Sequence, residues 1–178
     1  MPRVILHDIV ACKKSDLASG VYLVIFHVNR VPPHIGMFAR GRYYSLTATE
    51  SQIGINIDPI WRTINSKAIE TLFVKIESTP EKEVLDSIYS SYKNAGAHQF
   101  TCLRPIKDFF QKNHGMRLDN VQFIFDLIPV LRSANMIEKT YHLNLKLPVS
   151  ENFFELLQYD MVDIYQRIEE LQNESTHA

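Results

Sequence analysis

The spacing of apolar residues divides the chain into strand-like segments, helix-like segments and short polar connections. Six segments carry an alternating or continuous apolar pattern that predicts strands, at residues 3–11, 20–28, 34–40, 42–49, 68–76 and 141–147. The third and fourth of these predict a hairpin about Gly41. Pro32 and Pro33 impose an extended path into the hairpin, and residues 52–66 carry few signals beyond Trp61.

Four further segments carry apolar residues at the spacing of an amphipathic helix. The first is expected to begin near Thr79, which is a suitable capping residue. The second is expected to be capped by Thr101. The third spans residues 119–137, where Pro129 predicts a kink or two shorter helices, and the last is a long helix over residues 150–174.

The composition is that of an ordinary globular chain. Its 178 residues fit a single domain, with a core expected over about residues 20–147 and the helix over residues 150–174 appended to it. The 46% of hydrophobic residues suffices for such a core. Because 19 basic residues balance 20 acidic ones, no strong field favours nucleic acid or an anionic membrane as a partner.

The two cysteines, Cys12 and Cys102, are too few for a disulfide framework. His7 and Asp8 interrupt the first apolar run before a secretory signal forms, and no run is long enough for a membrane span. We therefore expect a cytoplasmic protein with both thiols free. The sequence has neither a Cys-x-x-Cys spacing nor a phosphate-binding glycine loop, so we expect no metal and no cofactor.

Two residues stand in contexts that suggest a chemical role. Cys102 comes at the start of the second predicted helix, where unpaired N–H groups and the helix dipole stabilise a thiolate. Such surroundings lower a cysteine pKa from about 8.5 into a range of about 3.5–7.5. His34 begins a predicted strand and shares one face with Gly36, whose missing side chain is expected to keep that face open to a ligand.

Plainer interpretations exist for both residues. Cys102 also fits a small buried hydrophobe, because free cysteine is among the most buried residue types. His34 also fits a strand-edge histidine that is satisfied by a backbone carbonyl. His98 competes with His34 for the role of base, because it precedes the same predicted helix. A metal set of His27, His34 and Cys102 lacks supporting spacing.

The stretch from His34 to Gly36, followed by Tyr43 to Leu46, resembles the histidine strand and the next strand of circularly permuted papain-like proteins. Thr101 to Leu103 is similar to the start of their nucleophile helix, and the order of histidine before cysteine is also theirs. The superfamily includes NlpC-type peptidases, PPPDE peptidases and lecithin–retinol acyltransferase relatives, and the resemblance covers about residues 20–112. It implies an α+β fold in which an antiparallel sheet carrying the histidine packs on a helix with the cysteine at its N-terminus.

The resemblance implies a cysteine hydrolase, a peptidase or an amidase, that works through a Cys102–His34 dyad. The thiolate would attack an amide or ester carbonyl, and His34 would take the thiol proton and later protonate the leaving group. Hydrolysis of the thioester acyl-enzyme completes the reaction, whereas capture by another nucleophile makes an acyltransferase. The partner would be a peptide, an amide or a small acyl ester.

The third site residue is less well defined. The family's orienting position falls on Ser45, or on Thr47 on the same face, but a hydroxyl stabilises an imidazolium less than a carboxylate does. Asn56 or Asp58 is therefore an alternative. This departure leaves open a papain-like domain that binds a peptide or lipid-like ligand without cutting it. A homodimer through the helix over residues 150–174 is a third hypothesis.

Overall fold

The computed structural model describes residues 2–81, 83–146 and 151–177, which form a mixed α+β fold. The strands are β1 (Ile5–Leu6), β2 (Val10–Ala11), β3 (Val21–Phe26), β4 (His34–Ala39), β5 (Arg42–Leu46), β6 (Ser51–Asn56), β7 (Thr71–Ile76), β8 (Ile137–Leu143) and β9 (Phe154–Glu155). The helices are α1 (Ile57–Ser66), α2 (Val84–Ser90), α3 (Arg104–His114), α4 (Ile124–Ser133) and α5 (Met161–Thr176). The α+β class predicted from the sequence is confirmed at this level.

A seven-stranded mixed sheet organises the chain, in the order β2-β8-β7-β3-β4-β5-β6. Its neighbouring strands are antiparallel except for the β2/β8 pair, which is parallel. β3 is buried along its whole length, as its run of β-branched and aromatic residues predicts. The predicted hairpin about Gly41 is confirmed, since β4 and β5 pair in antiparallel register from Gly36↔Ser45 to Ala39↔Arg42.

Apolar side chains cover the two faces of this sheet with separate cores. The larger core joins one face to α2, α3, α4 and α5, and the smaller core joins the other face to α1. Alternation along β4 sends Ile35 and Met37 into the larger core and Phe38 into the smaller one. His34 and Gly36 therefore lie on the α1 side of the sheet, and α3 lies on the opposite side.

The last helix is shorter than the sequence predicted. Asp160 and Asp163 cap α5 reciprocally, each carboxylate accepting from the other residue's backbone N–H at 2.9–3.0 Å. The residues from 151 to 160 are non-helical and include β9, which pairs with β1. The predicted start at Ser150 lies outside the described residues, as does the predicted end of the late strand at Leu147.

Two other predictions about local structure were wrong, and a segment for which the sequence predicted no element is structured. The segment 3–11 forms two short strands in different sheets, because the chain turns at Asp8 with a φ of 53°. Residues 51–66 form β6 and α1, with Asn56 Oδ1 accepting from the Asp58 N–H at the helix start. The helix expected to be capped by Thr79 begins only at Val84.

The third predicted helix is shorter at both ends. It is α4, one helix that contains Pro129, so the predicted alternative of two shorter helices was wrong. The carboxylate of Asp126 accepts from the backbone N–H groups of Gln122 and Phe123, which fixes its start. Ile137 already belongs to β8.

The apolar stripe of α5 packs against the chain's own core. Ile168 is 8% exposed, and Ile164 and Leu171 lie against the same core. Self-association through this helix stays a prediction, and it would have to use the opposite side, where Val162 is 68% exposed. Within the described ranges, no helix combines the length and the apolar character that crossing a bilayer requires.

Candidate functional site

A cavity of about 330 Å³ opens at the end of the sheet where β3 finishes and β4 begins. Its volume falls near the lower limit of small-molecule sites, which is about 300 Å³. His34 and Cys102 both line it, and α5 forms one of its walls through Ile164, Ile168 and Leu171. The structure therefore places both residues of the predicted dyad at one cavity, although they come from opposite sides of the sheet.

The His34 imidazole is held by its two neighbouring strands. It stacks on Phe26, its partner residue in β3, with ring centroids 5.9 Å apart and planes 16° apart. Its Nε2 lies 2.5 Å from the hydroxyl oxygen of Ser45, a fully buried residue of β5. Because Ser45 pairs with Gly36, two residues beyond His34, alternation places His34 and Ser45 on the same face.

Position 36 requires glycine for a different reason from the one that the sequence suggested. A Cβ at this position would lie 2.9 Å from Tyr43 Cε2 and 2.8 Å from the Tyr44 carbonyl oxygen. The face beside His34 is therefore filled by the Tyr43 ring and is not left open to a ligand. Burial raises the pKa of Tyr43, and the nearby Ser45 hydroxyl opposes this shift. Tyr43, Ser45 and His34 thus lie on one face of the sheet.

Cys102 lies in a turn that immediately precedes α3. The Arg104 N–H donates to the Thr101 carbonyl at 3.0 Å, and the Leu103 N–H donates to Thr101 Oγ1 at 3.4 Å. Thr101 therefore caps this turn, and the helix itself begins at Arg104, two residues after the cysteine. The thiol is partly buried, and the nearby backbone N–H groups of Ile35 and of Cys102 favour its thiolate form.

The contact with Ile35 is what links the thiol to the histidine strand. Ile35 directly follows His34, and the β4/β5 pairing begins only at Gly36, so the thiol lies where the two strands separate. Among the described residues, no hydrogen bond joins Cys102 Sγ to the imidazole; the hydrogen bond of the ring runs to Ser45.

Burial keeps both groups uncharged at neutral pH. It lowers the pKa of His34 to about 4, and the nearby His27 adds to this shift. Burial also raises the pKa of the Cys102 thiol, against the opposing effect of the two N–H donors. The predicted depression of the Cys102 pKa by a helix start is therefore wrong, because the residue lies ahead of α3 and is partly desolvated.

The alternative site residues are occupied elsewhere. The Thr47 hydroxyl lines the cavity, but it bonds within its own turn, to the backbone of Glu50. Asn56 caps α1 and Asp58 pairs with Lys14 at 2.8 Å, at the end of the sheet remote from His34. His98 is exposed and packs against Tyr165, with ring centroids 4.3 Å apart and planes 45° apart.

Sequence reasoning missed Tyr43, Arg30 and Arg167. Tyr43 could have been found, because it alternates with Ser45 on the same strand face. Arg30 and Arg167 both line the cavity, but they are so far apart in the chain that no local pattern links them. Across the described ranges, no three histidine, cysteine or acidic side chains come together as a metal site.

Comparison of this chain with protein-family models, with curated proteins and with solved structures finds no match.

Proposed function

We propose that this protein is a thiol hydrolase of the circularly permuted papain-like class, with Cys102 as nucleophile and His34 as general base. One observation carries the proposal: the thiol and the imidazole line one cavity, and Ser45 holds the imidazole by Nε2. The strand bearing the histidine precedes the cysteine, and α3 packs on the same sheet, which is the arrangement that the resemblance implies.

The hydrogen bond to Ser45 decides which nitrogen can act as the base. When Nε2–H donates to Ser45 Oγ, Nδ1 keeps its lone pair. Nδ1 takes the proton of the Cys102 thiol as Sγ attacks the carbonyl carbon of the substrate, and the carbonyl π electrons move to oxygen. The Cys102 backbone N–H is the expected donor to that oxyanion.

Collapse of the tetrahedral intermediate breaks the bond to the leaving group. The imidazolium returns its proton to the leaving nitrogen or oxygen, and a thioester remains on Cys102. A water molecule, deprotonated by the same Nδ1, then attacks the thioester carbonyl. The C–S bond breaks, the imidazolium returns its proton to Sγ, and the acid is released. The uncharged resting pair means that the proton moves together with the attack, because a free thiolate–imidazolium pair is disfavoured by burial.

A domain that binds a ligand without cutting it is the second candidate. The opposite directions of the two pKa shifts favour it, since a raised thiol pKa and a lowered imidazole pKa both reduce the amount of thiolate. The two candidates predict the same cavity and differ in the reactivity of one sulfur.

Alkylation of the thiols by iodoacetamide between pH 5 and 9 tests the proposal, with each modified cysteine identified by mass spectrometry. We expect Cys102 to react faster below pH 7 in the wild type than in His34→Ala, by about tenfold or more. Cys12 is the internal control, and Cys102→Ser confirms the site. A Cys102 rate that follows an ordinary thiol titration and ignores the loss of His34 would contradict the enzyme and favour the binding domain.

A further inference from the structure

The charged side chains that line the cavity are two arginines, Arg30 and Arg167, and none of the described lining residues is acidic. His27 and His34 also line it, and burial lowers the pKa of each. Most of the remaining lining is apolar, including Ile35, Leu46, Leu103 and Phe123. An apolar chamber with cationic groups and no carboxylate is complementary to an apolar molecule that carries a negative charge.

The two arginines reach the cavity from different walls. Arg30 belongs to the turn after β3, where its N–H donates to the His27 carbonyl at 3.1 Å and His27 has a φ of 57°. Arg167 belongs to α5, one turn from Ile164 and next to Ile168. Burial, followed by the repulsion of Arg167, lowers the pKa of Arg30, as expected for two guanidinium groups near the same cavity.

Among the described residues, acidic side chains pair with only one of the two arginines. Arg167 pairs on its own helix with Glu170 at 3.2 Å and Glu174 at 3.8 Å. Arg30 makes no ion pair in the part of the chain that the structure describes. Arg30 is therefore the cationic group of the cavity that has no carboxylate partner among the described residues, and a carboxylate on the ligand can supply one.

The cavity also limits the size of the ligand. At about 30 Å³ for each water-sized group, 330 Å³ holds about eleven such groups. An acyl chain of about ten carbons fills this space, whereas a diacyl lipid exceeds it. The exposed position of Arg30 places the charged end of the ligand near the cavity opening and its apolar part inside.

We propose that the cavity binds a medium-chain apolar molecule with a terminal carboxylate, held by Arg30 with Arg167 beside it. That such a molecule is an amide or ester substrate rests on the hydrolase proposal; that it binds does not. Arginine presents a planar set of donors that a carboxylate can accept in pairs, while the apolar walls further inside contact the chain of the ligand.

Calorimetric titration of Cys102→Ala protein with sodium decanoate tests the binding, because that variant keeps the cavity and has no thiol to react. We expect decanoate to bind at least tenfold more tightly than decanamide, its uncharged counterpart. Arg30→Gln should remove this difference and Arg30→Lys should retain part of it. Arg62→Gln is the matched control, since Arg62 is an exposed arginine on α1, away from the cavity.

Equal affinity for decanoate and decanamide, or an equal loss in Arg62→Gln, would overturn the inference. Binding of decyl phosphate more than tenfold tighter than decanoate would overturn the choice of a carboxylate. Circular dichroism of each variant excludes loss of folding as the cause. If decanoate binds but Cys102 is unreactive, the hydrolase proposal is contradicted and this inference stands. If Cys102 reactivity depends on His34 but decanoate does not bind, this inference is contradicted and the hydrolase proposal stands.

Discussion

The two cysteines of this chain lie in regions that give their thiols very different surroundings. Cys12 is 7% exposed in the smaller core, its Sγ donates weakly to the Lys13 carbonyl at 3.5 Å, and burial followed by Asp16 raises its pKa to about 12. Cys102 is also desolvated, but nearby backbone N–H groups favour its thiolate form and a histidine lines the same cavity. Burial alone therefore does not distinguish a structural thiol from a candidate nucleophile; the polar surroundings of the sulfur and the neighbouring histidine do.

Exchange of each cysteine for serine makes the strongest test of this difference. We expect Cys102→Ser to abolish hydrolysis of a p-nitrophenyl decanoate probe, a loss on the order of 10³-fold or more, because the attacking sulfur is gone. Cys12→Ser should hydrolyse the probe at nearly the wild-type rate. Comparable losses in both variants would remove the distinction between the two regions.

Removal of His34, the proposed base, is expected to give the second-largest loss of activity. His34→Ala should lower kcat for the same probe by about 10²–10⁴-fold, the usual contribution of general acid–base catalysis. His142→Ala is the matched control, because His142 is a partly buried strand histidine whose pKa is also lowered by burial. A variant lacking His34 that keeps its kcat would assign the proton transfer to another group.

The low pKa of His34 predicts a stability that falls in acid. The unfolded chain takes up the histidine proton near pH 6.5, whereas the native protein takes it up only near pH 4. Between these values the unfolded state binds more protons, so the free energy of unfolding drops as the pH falls, by about 3 kcal/mol at most from this residue. Urea unfolding of the wild type and of His34→Gln at pH 7, 5.5 and 4 measures the contribution of this residue. If the free energy of unfolding depends on pH in the same way in both proteins, the prediction is refuted.

The packing at Gly36 predicts a smaller loss. Gly36→Ala forces a methyl group against the Tyr43 ring and the Tyr44 carbonyl, so it should cost about 1–3 kcal/mol of unfolding free energy. Gly96→Ala is the control, since the added Cβ meets only the flexible Gln99 side chain. If chemical denaturation finds equal costs for both, the Tyr43 ring is not what excludes a side chain from position 36.

The positioning role of Ser45 predicts the smallest change. Ser45→Ala removes the partner of Nε2, and we expect kcat to fall about tenfold with little change in KM, because one hydrogen bond to the imidazole is worth about 0.5–1.5 kcal/mol. The pH at which kcat is half-maximal should shift as well, which a merely structural serine would not produce. Ser45→Thr retains a hydroxyl and should restore part of the rate.

Local patterns were sufficient for the elements that carry the dyad. Short-range signals predict β3, the β4/β5 hairpin and the helix after Cys102. These signals are the spacing of apolar residues and the turn residues, and both can be recognised within about ten consecutive positions. Alternation also puts Ser45 on the face of His34, so the contact between them was predictable from the strand. The proton transfer assigned to these residues stays a prediction.

The rest of the site depends on contacts between remote segments. The start of α5 was misplaced because Phe153, Phe154 and Leu157 fit a helical stripe, whereas β9 instead pairs with β1 near the other end of the chain. The role of Gly36 was misjudged because it depends on the direction of the Tyr43 side chain. The pairing of Arg30 with Arg167 depends on how α5 docks, which no short-range pattern encodes.

Because α5 forms a wall of the cavity, the order of synthesis affects when the cavity is completed. This helix follows the other described elements in the chain, yet it supplies one wall of the cavity. A ribosome therefore releases the sheet, the cysteine and the histidine before the segment that covers them. Until residues 161–176 emerge, the apolar lining lacks this wall and is exposed to chaperones and to other nascent chains.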